Sequence, residues 1–332
     1  GYKDPLGRYH SESNGKVVLV PSKYLYCESF NNGYAIAVLN KNGYTKRYGL
    51  INDRAADILP PIFESLILLD DGLYKFKLNN LYGLVDYNGH LIIPNKYHGI
   101  GKFCNDLACV QINIDLGEAN GKRKLYGYIN SRGEEILPVL YEFIGKRFNQ
   151  LSVVMKDGIW GLFDIESYKL TIVPEVAFLG PCLENLCKIN IGGIYNINTN
   201  KTTGGLWGYV SIDGQVVIEP TYEQAYNFSE GMAAIKLNNK WGIINTEGII
   251  VVPCEYDKVE SSFKNGIGKL VRNGEIFLFD KLGQLIDSYE QEIEYEDYYD
   301  GGYDDTPSIY DNPYYNDNVD MDQQSIEFWN NI

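Results

Sequence analysis

The sequence predicts an all-β fold, built as a tandem array of small antiparallel sheets. Short apolar segments rich in β-branched residues recur along the 332 residues, turn residues separate them, and an aromatic-glycine pair returns at regular intervals. Segments such as WGIIN and IIVVP have the composition of strands. The 34 glycines and 28 tyrosines agree with many turns and many strands.

The aromatic-glycine pair is the clearest mark of the repeat. The six pairs are Tyr48-Gly49, Tyr82-Gly83, Tyr126-Gly127, Trp160-Gly161, Trp207-Gly208 and Trp241-Gly242, at intervals of 34, 44, 34, 47 and 34 residues. The two long intervals contain insertions, at residues 112–124 and 189–205. Without about ten residues of each insertion, the period returns to about 34 residues, which is typical of repeat proteins.

Each repeat is predicted to be a three-stranded antiparallel meander. In the clearest copy, FSEGMAAIKL, KWGIIN and GIIVVP form the strands, with turns at Asn238-Asn239 and Glu247-Gly248. Pro253 lacks a backbone donor, so we expect it to end the third strand. The segment that follows crosses to the next repeat, and it carries an aromatic residue at a fixed place: Tyr97, Tyr141, Tyr222 and Tyr256.

These units resemble the WG repeat, also called the KWG repeat, of bacterial proteins. The resemblance is closest over LWGYVSIDGQVVIEPTYEQAYNFSEGMAAIKLNNKWGIINTEGIIVVP, residues 206–253. It extends over about seven tandem repeats in residues 14–286, the last of them a degenerate copy at Ile276-Phe277. The resemblance implies a binding or scaffolding module whose repeats carry no enzymatic activity.

The aromatic-glycine pairs are predicted to be packing anchors between repeats. One meander cannot bury its own face, whereas stacked copies cover one another. The ring supplies apolar area, and the glycine lets a ring or a backbone segment lie close over it. The alternative is a row of exposed rings that stack on sugars or bases. We favour an open, curved superhelical array over a closed β-propeller, whose blades usually have four strands and ~40 residues.

The charge divides the chain into a repeat array, residues 1–286, and an acidic tail, residues 287–332. The tail has 14 acidic residues and no basic ones, which leaves 30 acidic against 29 basic residues, or −1, in the array. A neutral array does not indicate nucleic-acid binding. The tail is expected to be disordered unless bound, and to help bind a partner through its aromatic residues: Tyr298, Tyr299, Tyr314, Tyr315, Phe328 and Trp329.

Residues that could carry chemistry are few. His10, His90 and His98 have no catalytic or metal-binding motif around them, and no nucleotide-binding motif is present. Cys104/Cys109 and Cys182/Cys187 are both five residues apart, at what we align as the same two repeat positions. Zinc or disulfide formation stays open for them, although we favour small residues at shared positions. We therefore predict no catalytic residue, no metal, no cofactor and no small-molecule substrate.

The function predicted from the sequence is a non-enzymatic protein-binding or scaffolding module that uses the array surface, the two insertions and the tail. Carbohydrate or surface-polymer binding through exposed aromatic residues is the alternative, and an enzyme with a site between repeats is a third. The longest apolar runs have strand length, which predicts no membrane insertion. No signal peptide is recognisable, so a cytoplasmic location is favoured, with a secreted or periplasmic one left open.

Overall fold

The structure is a computed structural model that describes residues 2–3, 9–13, 15–41, 43–69, 72–117 and 122–290. Within these residues every strand pairing is antiparallel and no α-helix is present, which confirms the predicted all-β fold. Seven four-stranded sheets follow one another along the chain, and none of them closes into a barrel. We number them sheets 1 to 7. The choice between an open and a closed array stays a prediction.

The described residues divide into two compact units, one up to Leu140 and one from Tyr141 onwards. The strands of the first unit begin with a three-stranded sheet: β1 Tyr2–Lys3, β2 Tyr9–Ser13 and β3 Lys16–Leu19. Sheet 1 comprises β4 Tyr26–Cys27, β5 Tyr34–Lys41, β6 Thr45–Asn52 and β7 Asp57–Phe63. Sheet 2 comprises β8 Ser65–Leu68, β9 Leu73–Leu78, β10 Leu81–Asp86 and β11 Leu91–Tyr97. Sheet 3 comprises β12 Gly99–Ile100, β13 Leu107–Asp115, β14 Lys122–Asn130 and β15 Glu135–Tyr141.

The second unit contains the other four sheets. Sheet 4 comprises β16 Phe143–Ile144, β17 Leu151–Lys156, β18 Ile159–Asp164 and β19 Leu170–Val173. Sheet 5 comprises β20 Phe178–Leu183, β21 Leu186–Ile191, β24 Leu206–Ser211 and β25 Val216–Tyr222, and a hairpin of β22 Ile194–Asn196 and β23 Lys201–Thr203 lies between its second and third strands. Sheet 6 comprises β26 Gln224–Ala225, β27 Met232–Leu237, β28 Lys240–Asn245 and β29 Ile250–Tyr256. Sheet 7 comprises β30 Lys258–Lys264, β31 Ile267–Arg272, β32 Glu275–Phe279 and β33 Leu285–Glu290.

Each sheet has four strands, and the prediction of three missed the first one. In sheet 6 the three predicted strands are β27, β28 and β29, and the crossover segment adds the two-residue strand β26. Gln224 lies opposite Lys236, and Ala225 lies opposite Ile235. The added strand pairs backbone groups at an edge that would otherwise be left without partners. Two residues are too few to show a strand-like periodicity in the sequence.

The proline of the fourth strand does not end that strand, contrary to the prediction. β29 continues through Pro253 to Tyr256. Because β29 is an edge strand of its sheet, its proline can lie where no neighbouring strand needs an N–H donor. The register shifts at this point, from Ile243 opposite Val252 to Trp241 opposite Tyr256, so the strand bulges over Gly242.

The turn between the third and fourth strands is held by one side-chain acceptor in each sheet. In sheet 6 the side-chain oxygen of Asn245 accepts hydrogen bonds from the backbone N–H groups of Glu247 and Ile249, at 3.2 and 2.9 Å. Such turns mimic a backbone turn and favour Asn or Asp. The acceptors are Asn52, Asp86, Asn130, Asp164, Ser211, Asn245 and Asp280. The sequence interpretation recognised the glycine of this turn and missed its acceptor.

Consecutive sheets share hydrophobic cores within each unit. One core combines Trp241 and Tyr256 of sheet 6 with Phe277 and Phe279 of sheet 7. Other cores join sheets 5 and 6, sheets 4 and 5, sheets 2 and 3, and sheets 1 and 2. This is the arrangement expected of repeats that cannot bury their apolar faces alone. In the described part of the chain, no helix is long and apolar enough to cross a membrane.

Candidate functional site

The glycine of each aromatic-glycine pair lies directly against the backbone of the fourth strand. In sheet 6 a Cβ atom on Gly242 would lie 2.6 Å from the carbonyl oxygen of Val252 and 2.9 Å from the backbone nitrogen of Cys254. Neither atom can move without moving the strand, so a larger residue would displace it. In sheets 1 to 5 the carbonyl oxygen that such a Cβ would meet, 2.5 to 3.0 Å away, belongs to Leu59, Ile93, Leu137, Thr171 and Ile218.

The rings of the pairs are packed into the shared cores. Trp160 is 1% exposed and Trp241 is 5% exposed. The ring of Trp160 meets Phe143 and Phe178 edge to face, with centroids 5.5 and 5.4 Å apart. The other four rings are partly buried: Tyr48, Tyr82, Tyr126 and Trp207. These six residues therefore do not form the row of fully exposed rings that the carbohydrate interpretation requires.

Within the second insertion, residues 189–205, the strands β22 and β23 form a separate hairpin that is clamped at its base. The side-chain amide of Asn190, a fully buried residue, donates to the carbonyl oxygen of Gly204 at 3.1 Å, and its side-chain oxygen accepts the N–H of Gly193 at 3.1 Å. A Cβ atom on Gly193 or Gly205 would lie 2.3 or 2.5 Å from that oxygen. The glycines thus let both strands close around one asparagine.

This hairpin packs on sheets 4 and 5 through one residue and exposes others. The ring of Tyr195 contacts Trp160 at 5.1 Å and Phe178 at 5.3 Å between centroids. By contrast, the side chain of Ile194 is 74% exposed, and Ile197 in the turn is also exposed. The packing fixes the orientation of the hairpin, so its apolar surface is displayed on a rigid support.

A lysine next to the hairpin joins two consecutive sheets. The ammonium group of Lys188 in β21 donates to the carbonyl oxygen of Ala225 in sheet 6 at 2.9 Å, and it lies 4.8 Å from the ring centroid of Trp207. Burial lowers the pKa of Lys188 to about 8. Sheet 2 repeats the contact, because buried Lys75 donates to the carbonyl oxygen of Ile100 in sheet 3 at 2.9 Å, and burial lowers its pKa too. Both lysines therefore bind backbone at a repeat boundary.

The first insertion, residues 112–124, lengthens β13 and β14 to nine residues each. It presents three consecutive exposed basic residues, Lys122, Arg123 and Lys124. Successive residues of a strand point to opposite faces, so the three cations do not share one face. Residues 118–121 of this insertion lie outside the described residues.

The two cysteine pairs do not occupy equivalent positions in their hairpins. They are offset by one residue, so the predicted alignment of the pairs was wrong. Cys182 lies directly opposite Cys187, and the two form a disulfide. Cys104 lies opposite Leu107, whereas the carbonyl of Cys109 accepts the N–H of Gly101. A shift of one residue moves a side chain to the other face of the sheet. Only Cys182 and Cys187 therefore lie opposite each other. The favoured explanation, small residues at shared positions, does not hold for that pair.

The remaining predicted residues make ordinary turn contacts or lie outside the described part. The imidazole Nδ1 of His90 is 2.9 Å from Oδ2 of Asp86, the acceptor of its own turn, and Nδ1 of His98 accepts the N–H of Asn113. Among the described residues no three His, Cys, Asp or Glu side chains are grouped as for a metal ion. The aromatic residues of the tail lie outside the described residues: Tyr298, Tyr299, Tyr314, Tyr315, Phe328 and Trp329.

Solved structures offer only remote likenesses. A crystal structure titled as the eukaryotic initiation factor shares 10% identity at a TM-score of 0.38, over 83% of this chain and 81% of that one. Apo AztD from Citrobacter koseri shares 10% sequence identity at a TM-score of 0.34, over 83% of this chain and 88% of that one. Dipeptidyl peptidase 4 from Porphyromonas gingivalis shares 7% sequence identity at a TM-score of 0.38, over 82% of this chain and 53% of that one. These values support no inference about function. No curated protein matches the chain in sequence.

The sequence model of the WG containing repeat matches the chain in five places: residues 12–42, 82–113, 126–160, 207–241 and 241–274. Four of the matches begin at an aromatic anchor, namely Tyr82, Tyr126, Trp207 and Trp241. The sequence repeat therefore starts at the third strand of one sheet and ends in the next sheet, so each copy contributes to two sheets. Together the matches cover half of the chain, and the protein belongs to the WG-repeat family.

Proposed function

We propose that this protein is a non-enzymatic binding or scaffolding module that holds a protein partner on the surface of its repeats. The observation that supports the proposal most directly is the clamped hairpin of residues 189–205. It departs from the repeat, Asn190 and Tyr195 fix it in place, and it displays Ile194 and Ile197 to solvent. Apolar residues displayed at the surface on a fixed support are typical of protein-binding sites.

The aromatic-glycine pairs of the repeat are used for packing, which supports recognition through the segments that break the period. The glycines accommodate the fourth strands, and Trp160 and Trp241 are buried between sheets. We count sheets 1 to 7 as seven repeats of this scaffold. Binding through the first insertion and through the tail is part of the same proposal, and neither nucleic acid nor a small-molecule substrate is proposed as the partner.

The proposal is tested by capture of partners from lysate of the source cell. Full-length protein is compared with the double variant Ile194→Asp/Ile197→Asp, which adds charge to the exposed face of the hairpin, and with a chain that ends at Glu290. The matched control is Ile249→Asp, an exposed apolar residue in a turn of sheet 6. We expect the hairpin variant to lose at least one partner that the control retains. If full-length protein and the hairpin variant capture the same proteins, the hairpin is not the binding site.

A further inference from the structure

The outer edge of sheet 7 differs from the corresponding edges of the other sheets. The fourth strands of sheets 1, 2, 3, 5 and 6 all contain proline, at Pro60 and Pro61, Pro94, Pro138, Pro220 and Pro253. In sheet 4 the fourth strand has only four residues, and Pro174 follows it directly. Proline, bulges and short length are devices that keep an edge strand from pairing with another chain.

β33 has none of these devices along most of its length. Its six residues, Leu285–Glu290, contain no proline. After one register shift beside the turn, its last four residues pair regularly with β32, from Leu278 opposite Asp287 to Glu275 opposite Glu290. The strand has β32 on one side, and within the described residues no strand pairs with its other side. β33 therefore has an outer edge that no described strand covers, although the N–H of Ser288 donates to Oδ1 of its neighbour Asp287 at 2.8 Å.

The sequence of sheet 7 explains why this edge strand differs. At the position where the other sheets have the glycine of the pair, sheet 7 has Phe277, which is buried in the core shared with sheet 6. In sheet 6 the bulged strand crosses close to Gly242, at a distance that excludes even a Cβ atom. A phenylalanine side chain leaves no room for that crossing, so β33 pairs with β32 without a register shift at Phe277. In sheet 7 the glycine, the shift at this position and the proline are all absent.

The strand combines exposed apolar and acidic residues. The side chain of Leu285 is 55% exposed and that of Ile286 is 53% exposed, and Tyr289 is also largely exposed. Asp287 and Glu290 are exposed on the same strand, and Glu275 lies opposite Glu290, which sets two like charges side by side. Like charges directly opposite each other on a sheet are unfavourable. Glu275 also lies opposite Arg272 of β31, whereas a cation for Glu290 would come from a strand added beside β33. The sequence that follows, residues 291–332, contains 12 further acidic residues and no basic ones.

We propose that the free edge of β33 is a strand-addition site for an extended, basic segment of a partner protein, in which apolar residues alternate with Lys or Arg. Backbone hydrogen bonds to β33 supply affinity, and the alternating side chains contact Leu285, Ile286 and the acidic residues. A second copy of this chain is disfavoured as the occupant, because each copy brings 14 acidic and no basic residues from position 287 onwards. The inference rests on the proposed protein-binding function and names its partner chemistry.

The test uses the full chain and synthetic peptides of about ten residues, enough for one strand. One labelled peptide alternates Val and Lys, a second has Glu in place of Lys, and a third is the Lys peptide with N-methyl groups along one backbone edge. Binding is measured by fluorescence anisotropy at low ionic strength, where surface charges are least screened. We expect the Lys peptide to bind, and both other peptides to bind at least about tenfold more weakly.

Two variants locate the site. Leu285→Lys places a charge on β33, and Ile250→Lys places one at the same position of β29, where Ile250 is 47% exposed and Pro253 protects the edge. We expect the first to weaken binding of the Lys peptide at least about tenfold and the second to leave it unchanged. Ser288→Pro puts proline five residues after the turn glycine, as in sheet 6, and should weaken binding in the same way. Circular dichroism of each variant checks that the fold is kept.

Four results would overturn the proposal. These are no binding of the Lys peptide by the full chain, equal binding of the Lys and Glu peptides, binding only after residues 291–332 are deleted, and a concentration-dependent dimer in ultracentrifugation that Leu285→Lys abolishes. The third result would assign the edge to the tail, and the fourth to a second copy. Ile194→Asp/Ile197→Asp should retain peptide binding, so failure at β33 is distinguishable from failure of the hairpin as a partner site.

Discussion

Sheets 6 and 7 are neighbours in the chain and share one hydrophobic core, yet their outer edge strands differ. In sheet 6, Gly242 makes room for a bulged fourth strand that contains Pro253. In sheet 7, Phe277 fills that room, and the fourth strand has no proline and no register shift at Phe277. The glycine of the pair therefore does more than allow close packing in a core. It permits a bulge, and the bulge protects an edge.

The largest effect in this comparison is expected at Gly242. Gly242→Ala places a Cβ atom against the carbonyl oxygen of Val252 and should lower the free energy of unfolding by about 2–3 kcal/mol, since the strand has to shift. The matched control is Gly99→Ala in β12, where the nearest atom to the added Cβ would be 3.6 Å away. The control should change stability by less than about 1 kcal/mol.

Urea unfolding of the two glycine variants and the unmodified protein measures this difference. Equal stabilities for Gly242→Ala and Gly99→Ala would show that the fourth strand yields at no cost. The glycine of the pair would then not be needed to make room for the fourth strand, and Phe277 would not account for the different edge strand of sheet 7.

A second effect distinguishes the hairpin that contains Cys182 and Cys187 from the hairpin that contains Cys104 and Cys109, two pairs with the same spacing. Reduction of the disulfide between Cys182 and Cys187 opens a short loop and should lower the free energy of unfolding by about 2 kcal/mol. The chain has six cysteines and two are in this disulfide, so four thiols should react after unfolding without reductant and six after reduction. A double variant Cys104→Ala/Cys109→Ala should keep its response to reductant, because its disulfide is intact.

Thiol titration with and without denaturant gives the count, and urea unfolding with and without reductant gives the stability. If the variant Cys182→Ala/Cys187→Ala responds to reductant as the unmodified protein does, the stabilising disulfide lies elsewhere.

The smallest effect concerns two lysines at corresponding places in sheets 5 and 7. Lys188 of sheet 5 donates to the backbone of sheet 6, whereas Lys269, at the corresponding place in sheet 7, lies 3.3 Å from the hydroxyl of Tyr289 in its own sheet. Burial lowers the pKa of Lys188 from 10.5 to about 8, so the unfolded chain binds more protons than the native chain between these values. The free energy of unfolding should therefore rise with pH, by about 1 kcal/mol between about pH 8 and 9.

Lys188→Met removes this titration, so its stability should rise less steeply over the same interval. Urea unfolding at several pH values below 10 measures the slope, since above that value buried tyrosines, whose pKa burial raises, begin to act in the opposite direction. Parallel slopes for the variant and the unmodified protein would contradict the contribution assigned to Lys188.

Much of the fold could be predicted from the sequence, because the signals involved are local and repeat several times. The aromatic-glycine pairs, the turn glycines and the β-branched runs gave the all-β class, the repeat and three of the four strands in sheets such as sheet 6. The first strand was missed because a segment as short as Gln224–Ala225 has no periodicity of its own. The extent of the last strand was also missed, since β33 continues to Glu290, into the segment that composition assigned to the tail.

Less of the candidate site could be predicted, because it depends on register and on contacts between distant residues. The sequence pointed to residues 189–205 as a break in the period, but the clamp by Asn190 and the packing of Tyr195 on Trp160 appear only when sheets 4 and 5 are adjacent. Likewise, a spacing of five residues cannot distinguish Cys182/Cys187 from Cys104/Cys109. The turn position decides which pair is opposed, and a shift of one residue reverses the outcome.

By itself, the sequence determined that this chain is a tandem array of β-repeats with an acidic segment at its end, since composition and periodicity are properties of the chain alone. The tertiary structure decided what the repeated pair is for. Only the crossing of the fourth strand shows that Gly242 makes room for the neighbouring backbone, and only the sheet order shows that no described strand covers the outer edge of β33. The physical reason is that steric exclusion and strand register are relations between segments, and a single segment does not contain them.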